Sequence, residues 1–169
     1  MNRKISSLMS LATSILVVGS SLVGLGVGAA NAASAPINVT FESNDTSGAS
    51  LGGSADFGGN VSSVISSTVG SNTSKVGKIV NGGECWSGTT FLIKDIGNQL
   101  ISDVSKLVTA DVYSTTSMDV KMKVEGGPSD PAREVDVIHN GGGWQSMTFD
   151  FGAGTAVAPG NYIKASIFA

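Results

Sequence analysis

The residues able to do chemistry are few. Gly48-Ala49-Ser50-Leu51-Gly52 matches the G-x-S-x-G pattern of a nucleophile elbow. That elbow needs a strand-to-helix turn that lifts the serine above backbone amides. The segment is so rich in Gly and Ser that a chance match is the expected reading. Glu134-Val135-Asp136-Val137-Ile138-His139 places two carboxylates on one side of a strand. Retaining glycoside hydrolysis needs two such groups about 5 Å apart across the scissile bond. A third carboxylate, the acid/base of an E-x-D-x-x-E strand, would stand where this chain has His139. Glu134 and Asp136 therefore read as the solvated face of a strand. His139 is the only histidine, which excludes His-rich metal sites and two-histidine mechanisms. At a strand end before a glycine turn, it is expected to be exposed. Cys85 is the only cysteine, so no intrachain disulfide forms, and it is expected to be a small buried residue.

Binding chemistry has better candidates. Trp86 and Trp144 are the only tryptophans. An indole face stacks on the C–H groups of a pyranose while polar neighbours take its hydroxyls. Trp86 lies in a polar, glycine-flanked loop with Asn81 and Glu84 beside it, and either presents its ring or packs it on a sheet. Trp144 shares parity with the polar set Ser146, Thr148 and Asp150. A bulge after the glycine run would instead turn it inward. Glu42 ends a candidate first strand and is followed by oxygens on Ser43, Asn44 and Asp45. Calcium takes six to eight such hard ligands, whereas an isolated acid at a strand end is ordinarily just solvated.

The elements that must position these groups are strands. Apolar and polar residues alternate at period two, the pattern of half-buried strands. Met118, Val120, Met122 and Val124 share a face, as do Val108, Ala110 and Val112, then Val135 and Val137, then Met147, Phe149 and Phe151. Further strands are expected at Ile37–Glu42, Val61–Ile65, Lys75–Val80, Thr89–Lys94 and Tyr162–Phe168. Asn44–Asn60 reads as a long loop or irregular edge, and Ile96–Lys106 has room for a short helical turn. Asn81-Gly82-Gly83, Gly126-Gly127-Pro128 and Asn140-Gly141-Gly142-Gly143 carry turn chemistry. Short strands at this spacing predict a two-sheet antiparallel sandwich or a barrel.

The N-terminus reads as an export signal. Arg3 and Lys4 precede an apolar run, and Ala30-Asn31-Ala32 supplies small residues for cleavage. Residues 1–32 are thus expected to be a signal peptide, leaving 33–169 as one domain, secreted and with no membrane segment. The chain has 10 Lys+Arg against 13 Asp+Glu, and losing Arg3 and Lys4 makes it more acidic. Such a balance disfavours nucleic acid as a partner.

Taken in order, several segments resemble a known bacterial module. They are Phe41-Glu42, Asp56-Phe57-Gly58-Gly59, Lys75–Val80, Trp86-Ser87-Gly88-Thr89-Thr90, Val120–Glu125, Gly143–Phe151 and Tyr162–Phe168. The resemblance is to the jelly-roll, galactose-binding-like modules appended to secreted laminarinase-type glycoside hydrolases, and it covers nearly all of 33–169. It implies a jelly-roll β-sandwich, non-catalytic binding of polysaccharide such as β-glucan, and a structural calcium on Glu42. The family's second calcium ligand belongs to a closing strand that would lie beyond Ala169, so the module is expected to be truncated before its last strand. The other expectations are a structural or adhesive domain without sugar specificity, and the N-terminal fragment of a hydrolase whose catalytic domain lies downstream.

Overall fold

The computed structural model describes residues 6–10, 37–45, 47–66, 68–93, 106–126, 133–153, 162 and 164–169, the first group by its backbone alone. The fold is all-β. Among the described residues ten strands follow in order: β1 Ser6–Ser10, β2 Asp56–Phe57, β3 Val61–Ile65, β4 Val76–Val80, β5 Gly88–Ile93, β6 Leu107–Ser114, β7 Met118–Glu125, β8 Arg133–His139, β9 Gly143–Asp150 and β10 Lys164–Phe168. A 3₁₀ turn, Gly53–Ala55, precedes β2. Sheet A runs β3-β4-β1-β6-β9 and sheet B runs β2-β5-β10-β7-β8. Every strand pairing is antiparallel.

The two sheets share one core, giving a sandwich-like arrangement. The period-two faces supply it as the sequence predicts. Ala110, Val112, Met147, Phe149 and Ile79 come from sheet A, and Val120, Met122, Val124, Phe91 and Ile167 from sheet B. Burial of such side chains contributes roughly 1.5–3 kcal/mol each. The outward partners stay wet. Lys121 bridges Glu134 at 2.8 Å and Asp136 at 3.8 Å across the β7–β8 ladder. Both acids therefore lie on the solvated face, in an exposed pair of small net stability.

Residues 37–42 depart from the expected strand. Ile37 and Val39 are buried in the core, so the alternation did report burial. Yet the segment joins no ladder. The amides of Thr40 and Phe41 donate instead to Asp45 Oδ2, at 2.6 and 2.7 Å. Phe41 adopts φ 59, a left-handed conformation that costs an aromatic residue about 1–3 kcal/mol. These two amides and the twist form a small nest around the carboxylate, and a strand cannot continue through it.

β1 sits at the centre of sheet A, although its residues fall within the stretch read as a signal peptide. The Ala30-Asn31-Ala32 signal, Gly127-Pro128 and residues 96–105 of the proposed helical turn lie outside the described residues.

Candidate functional site

Two aromatic surfaces emerge, and they are built differently. The first lies on the outward face of sheet A. Because Ala110 and Val112 point into the core, Asp111 and Tyr113 on β6 must point away from it. Tyr113 lies opposite Trp144 on β9, and Asp111 opposite Ser146. The two rings meet edge to face, with centroids 5.5 Å apart. Trp144 thus keeps the outward parity of the polar set. Its indole Nε1 donates to Val69 O at 2.7 Å, which ties β9 to the Val69–Asn72 turn. Gly70 makes that approach possible. A Cβ there would lie 3.1 Å from the Trp144 ring and 3.2 Å from Tyr113, at φ +57.

Between turn and sheet lies a polar pocket of ≈ 320 Å³ lined by Ser71, Asn72, Asp111 and Trp144. The turn's backbone is closed by paired bonds between Val69 and Asn72, both 3.0 Å. Asn72 Oδ1 accepts the Ser74 amide at 2.7 Å, which leaves its NH₂ as the group it can offer. Asp111 enters no ion pair among the described residues, so its carboxylate is an acceptor facing the pocket's solvent. An aromatic wall, an anionic acceptor, an amide donor and a hydroxyl form the complement needed by a polyhydroxylated ligand.

The second surface is the loop 81–87. Trp86 is 56 % exposed, so its ring is presented rather than packed. Glu84 is exposed beside it. Asn81 is largely occupied in building the loop. Its Oδ1 accepts the Gly83 amide at 2.6 Å, and its Nδ2 donates to the carbonyl of Ala169. Ser87 closes the other side, its Oγ accepting from the Glu84 amide at 3.1 Å and donating to Gly58 O at 2.5 Å. A preorganised loop loses little entropy when a ligand stacks on its ring.

Beneath this loop runs a polar network that the sequence did not announce. Asp56 Oδ2 accepts the Ser62 amide at 2.9 Å, and Oδ1 accepts the hydroxyls of Ser62 at 2.5 Å and Thr89 at 2.8 Å. Asn60 Nδ2 reaches Thr89 Oγ1 at 3.5 Å, while Asn60 Oδ1 accepts the Gly82 amide at 3.0 Å. The chain of bonds links β3 in sheet A to β5 in sheet B and to the Trp86 loop.

Two single-residue expectations are corrected, for Cys85 and His139, while Ser50 fits the chance-match reading. Cys85 is exposed, because its loop stands off the sheet. His139 is fully buried, since β8 turns it inward with Val135 and Val137. Its Nδ1 accepts the Gly141 amide at 2.9 Å, so Nε2 carries the proton and donates to Val112 O at 3.1 Å. Nε2 thereby holds β8 to β6, and Nδ1 fixes the turn that follows β8. Ser50 sits in a loop with its amide on Phe91 O at 2.8 Å. The turn that follows is the 3₁₀ segment Gly53–Ala55, not the helix an elbow requires.

The acids near Glu42 are engaged by backbone. Glu42 Oε1 accepts the Lys75 amide at 2.6 Å. Asp45 accepts three amides, the third from Ser47 to Oδ1 at 2.7 Å. No cluster of three or more His, Cys, Asp or Glu able to hold a metal occurs among the described residues. Burial pushes the Asp45 carboxyl up, but hydrogen bonds from Ser47, Thr40 and Phe41 outweigh it and hold the group below its ordinary 3.8. A carboxyl depressed in the folded state stabilises above its unfolded pKa, and that contribution is lost as pH falls through the folded value. The wild type should therefore lose stability below about pH 3.8 more steeply than Asp45→Asn. Urea melts across the acid range would show two parallel profiles if Asp45 carried no such linkage.

No helix among the described residues is long and apolar enough to cross a membrane. No family model matches the chain, and no curated protein matches it either.

Proposed function

We propose that residues 33–169 form a non-catalytic carbohydrate-binding module of a secreted protein, directing it to a polysaccharide of the β-glucan kind. The observation that carries the reading is the pocket beside Trp144, where Asp111, Asn72 and Ser71 surround an indole wall. Trp86, displayed on its stapled loop with Glu84 beside it, offers a second stacking surface. The export-like N-terminus and the resemblance to modules of secreted hydrolases support the same reading, and a catalytic domain encoded downstream would fit it.

Affinity electrophoresis in β-glucan gels tests the proposal. Asp111→Ala removes a pocket acceptor without touching the core, and Trp86→Ala removes the exposed ring. A residue central to binding should cost about 2 kcal/mol or more, roughly a thirtyfold weaker Kd. Retention lost in Asp111→Ala with an unchanged melting temperature places the ligand at the pocket, and the same result in Trp86→Ala places it on the loop. Wild-type protein that migrates unretarded in every glycan gel would refute the module.

A structural or adhesive domain is the second reading. It is favoured by apolar side chains left on strand surfaces: Val61 and Ile138 are 63 % and 60 % exposed. Unretarded migration together with self-association at raised concentration would select it.

Calcium at Glu42 belongs to the proposal as well. The site is incomplete among the described residues: Asp45 is committed to amides and Glu42 has one oxygen engaged. A cation held there would use the second Glu42 oxygen. An ion at a hundredfold excess over its Kd adds about 2.7 kcal/mol. Chelator should then lower the melting temperature of the wild type but not of Glu42→Ala, and identical wild-type curves with and without calcium would dismiss the ion.

A further inference from the structure

The charge at the Trp144 pocket is one-sided. Of its lining residues, Ser71, Asn72, Asp111 and Trp144, only Asp111 is charged. Its register partner on β9 is Ser146, and the adjoining outward positions are Thr109, Thr148, Tyr113 and Trp144. None of these is a cation. The next outward acid along the ladder is Asp150, opposite Leu107. The ion pairs among the described residues all lie on β7 and β8, on the other sheet. A carboxylate therefore stands beside an indole wall with no basic side chain to balance it.

We propose, resting on the glycan reading of this pocket, that its ligand is an amine-bearing sugar, a hexosamine unit carrying a protonated amino group. A neutral hydroxyl would satisfy Asp111 with an ordinary hydrogen bond, whereas an ammonium makes a charge-assisted bond roughly twice as strong. The indole attracts the same cation through its ring quadrupole. A uronate or sulfate ester would set a second negative charge against Asp111, and like charges across a contact are costly. The rest of the lining asks for more than an ammonium. Asn72 Oδ1 is taken by the Ser74 amide at 2.7 Å, so its NH₂ and the Ser71 hydroxyl serve ligand oxygens. A volume of ≈ 320 Å³ suits one sugar unit rather than a length of chain. N-acetylation removes the charge and adds bulk, so the acetylated sugar is the weaker ligand.

Titration of the full chain with a β-1,4-linked glucosamine tetramer and with its N-acetylated counterpart tests the proposal. The free amine should bind at least about tenfold more tightly. Asp111→Asn should erase that difference at an unchanged melting temperature. An acidic chain attracts any polycation, so the control is Asp119→Asn, which removes one charge from the exposed face of sheet B and should keep the difference. In the wild type the preference should shrink as salt rises from about 0.01 to about 1 M, which reads the ion pair without any substitution. A lysine tetrapeptide, with ammonium groups but no sugar hydroxyls, should not compete. Equal binding of the two tetramers overturns the proposal while leaving a glycan module standing. A preference that survives in Asp111→Asn overturns it too, as does competition by the lysine peptide, which would make the pocket a site for basic polypeptide. If neither tetramer binds and neutral β-glucan gels do not retard the protein, the module reading fails and the hexosamine fails with it.

Discussion

Asp56→Ala is expected to lower the unfolding free energy by about 3–5 kcal/mol, the largest loss of any polar substitution proposed for this domain. Three bonds converge on one carboxylate, from the Ser62 amide, the Ser62 hydroxyl and the Thr89 hydroxyl. Ser62 and Thr89 are themselves buried, so their donors have no water to turn to. Each abandoned donor costs about 1–3 kcal/mol, and bonds to an ionised group sit at the upper end. Asp56→Asn keeps the acceptor oxygen at one position and should recover part of the loss. The measurement is urea unfolding of all three proteins. A loss below about 1 kcal/mol for the alanine variant would mean that the network is solvated and does not tie the sheets together.

Gly82→Ala should cost about 2–3 kcal/mol for a purely steric reason. A Cβ at Gly82 would stand 2.3 Å from both Gly58 O and the Gly59 carbonyl carbon. Both obstacles are backbone, so no side-chain rotation relieves them. Neighbouring Gly83 gives the control. It adopts φ +94 with nothing near its absent Cβ, so its alanine variant pays conformational strain alone, about 1–2 kcal/mol. Gly82→Ala must also lift the 81–87 loop from its seat, and the Trp86 surface moves with it. The signature is a melting temperature below that of Gly83→Ala, with a shift in Trp86 fluorescence. Equal melting temperatures would show that the 58–60 segment yields to the new methyl group.

Much of the architecture was legible in the residues because strands write their burial at period two. β6 and β7 occupy the spans expected for them, Leu107–Ser114 and Met118–Glu125. Pairing order was not legible. Nothing local says that the segment Lys164–Phe168 lies between β5 and β7, and the registers that join them are set by the whole core. The candidate site shows the same division. Trp86 and Trp144 stand out by residue type. Asp111 does not, because its relation to Trp144 exists only through the Tyr113–Trp144 register. Asn72 joins them through a turn whose backbone closes on itself. His139 misled for a related reason: a glycine turn beside a polar residue suggests solvent, yet strand parity had already turned it inward. At residues 37–42 the pattern gave burial correctly and ladder pairing wrongly, since the Asp45 carboxylate captures the amides a neighbour strand would need.

The position of β10 bears on when the domain can form. Sheet B has β2-β5 on one side of Lys164–Phe168 and β7-β8 on the other. Until that late segment has been synthesised, the sheet exists only as two separate ribbons, and Ile167 is missing from the core between them. Two-stranded ribbons are marginal in water, and contacts so distant along the chain are slow to form. Sheet B therefore closes only once Lys164–Phe168 is available to join its two halves, whereas every strand of sheet A precedes that segment in the chain.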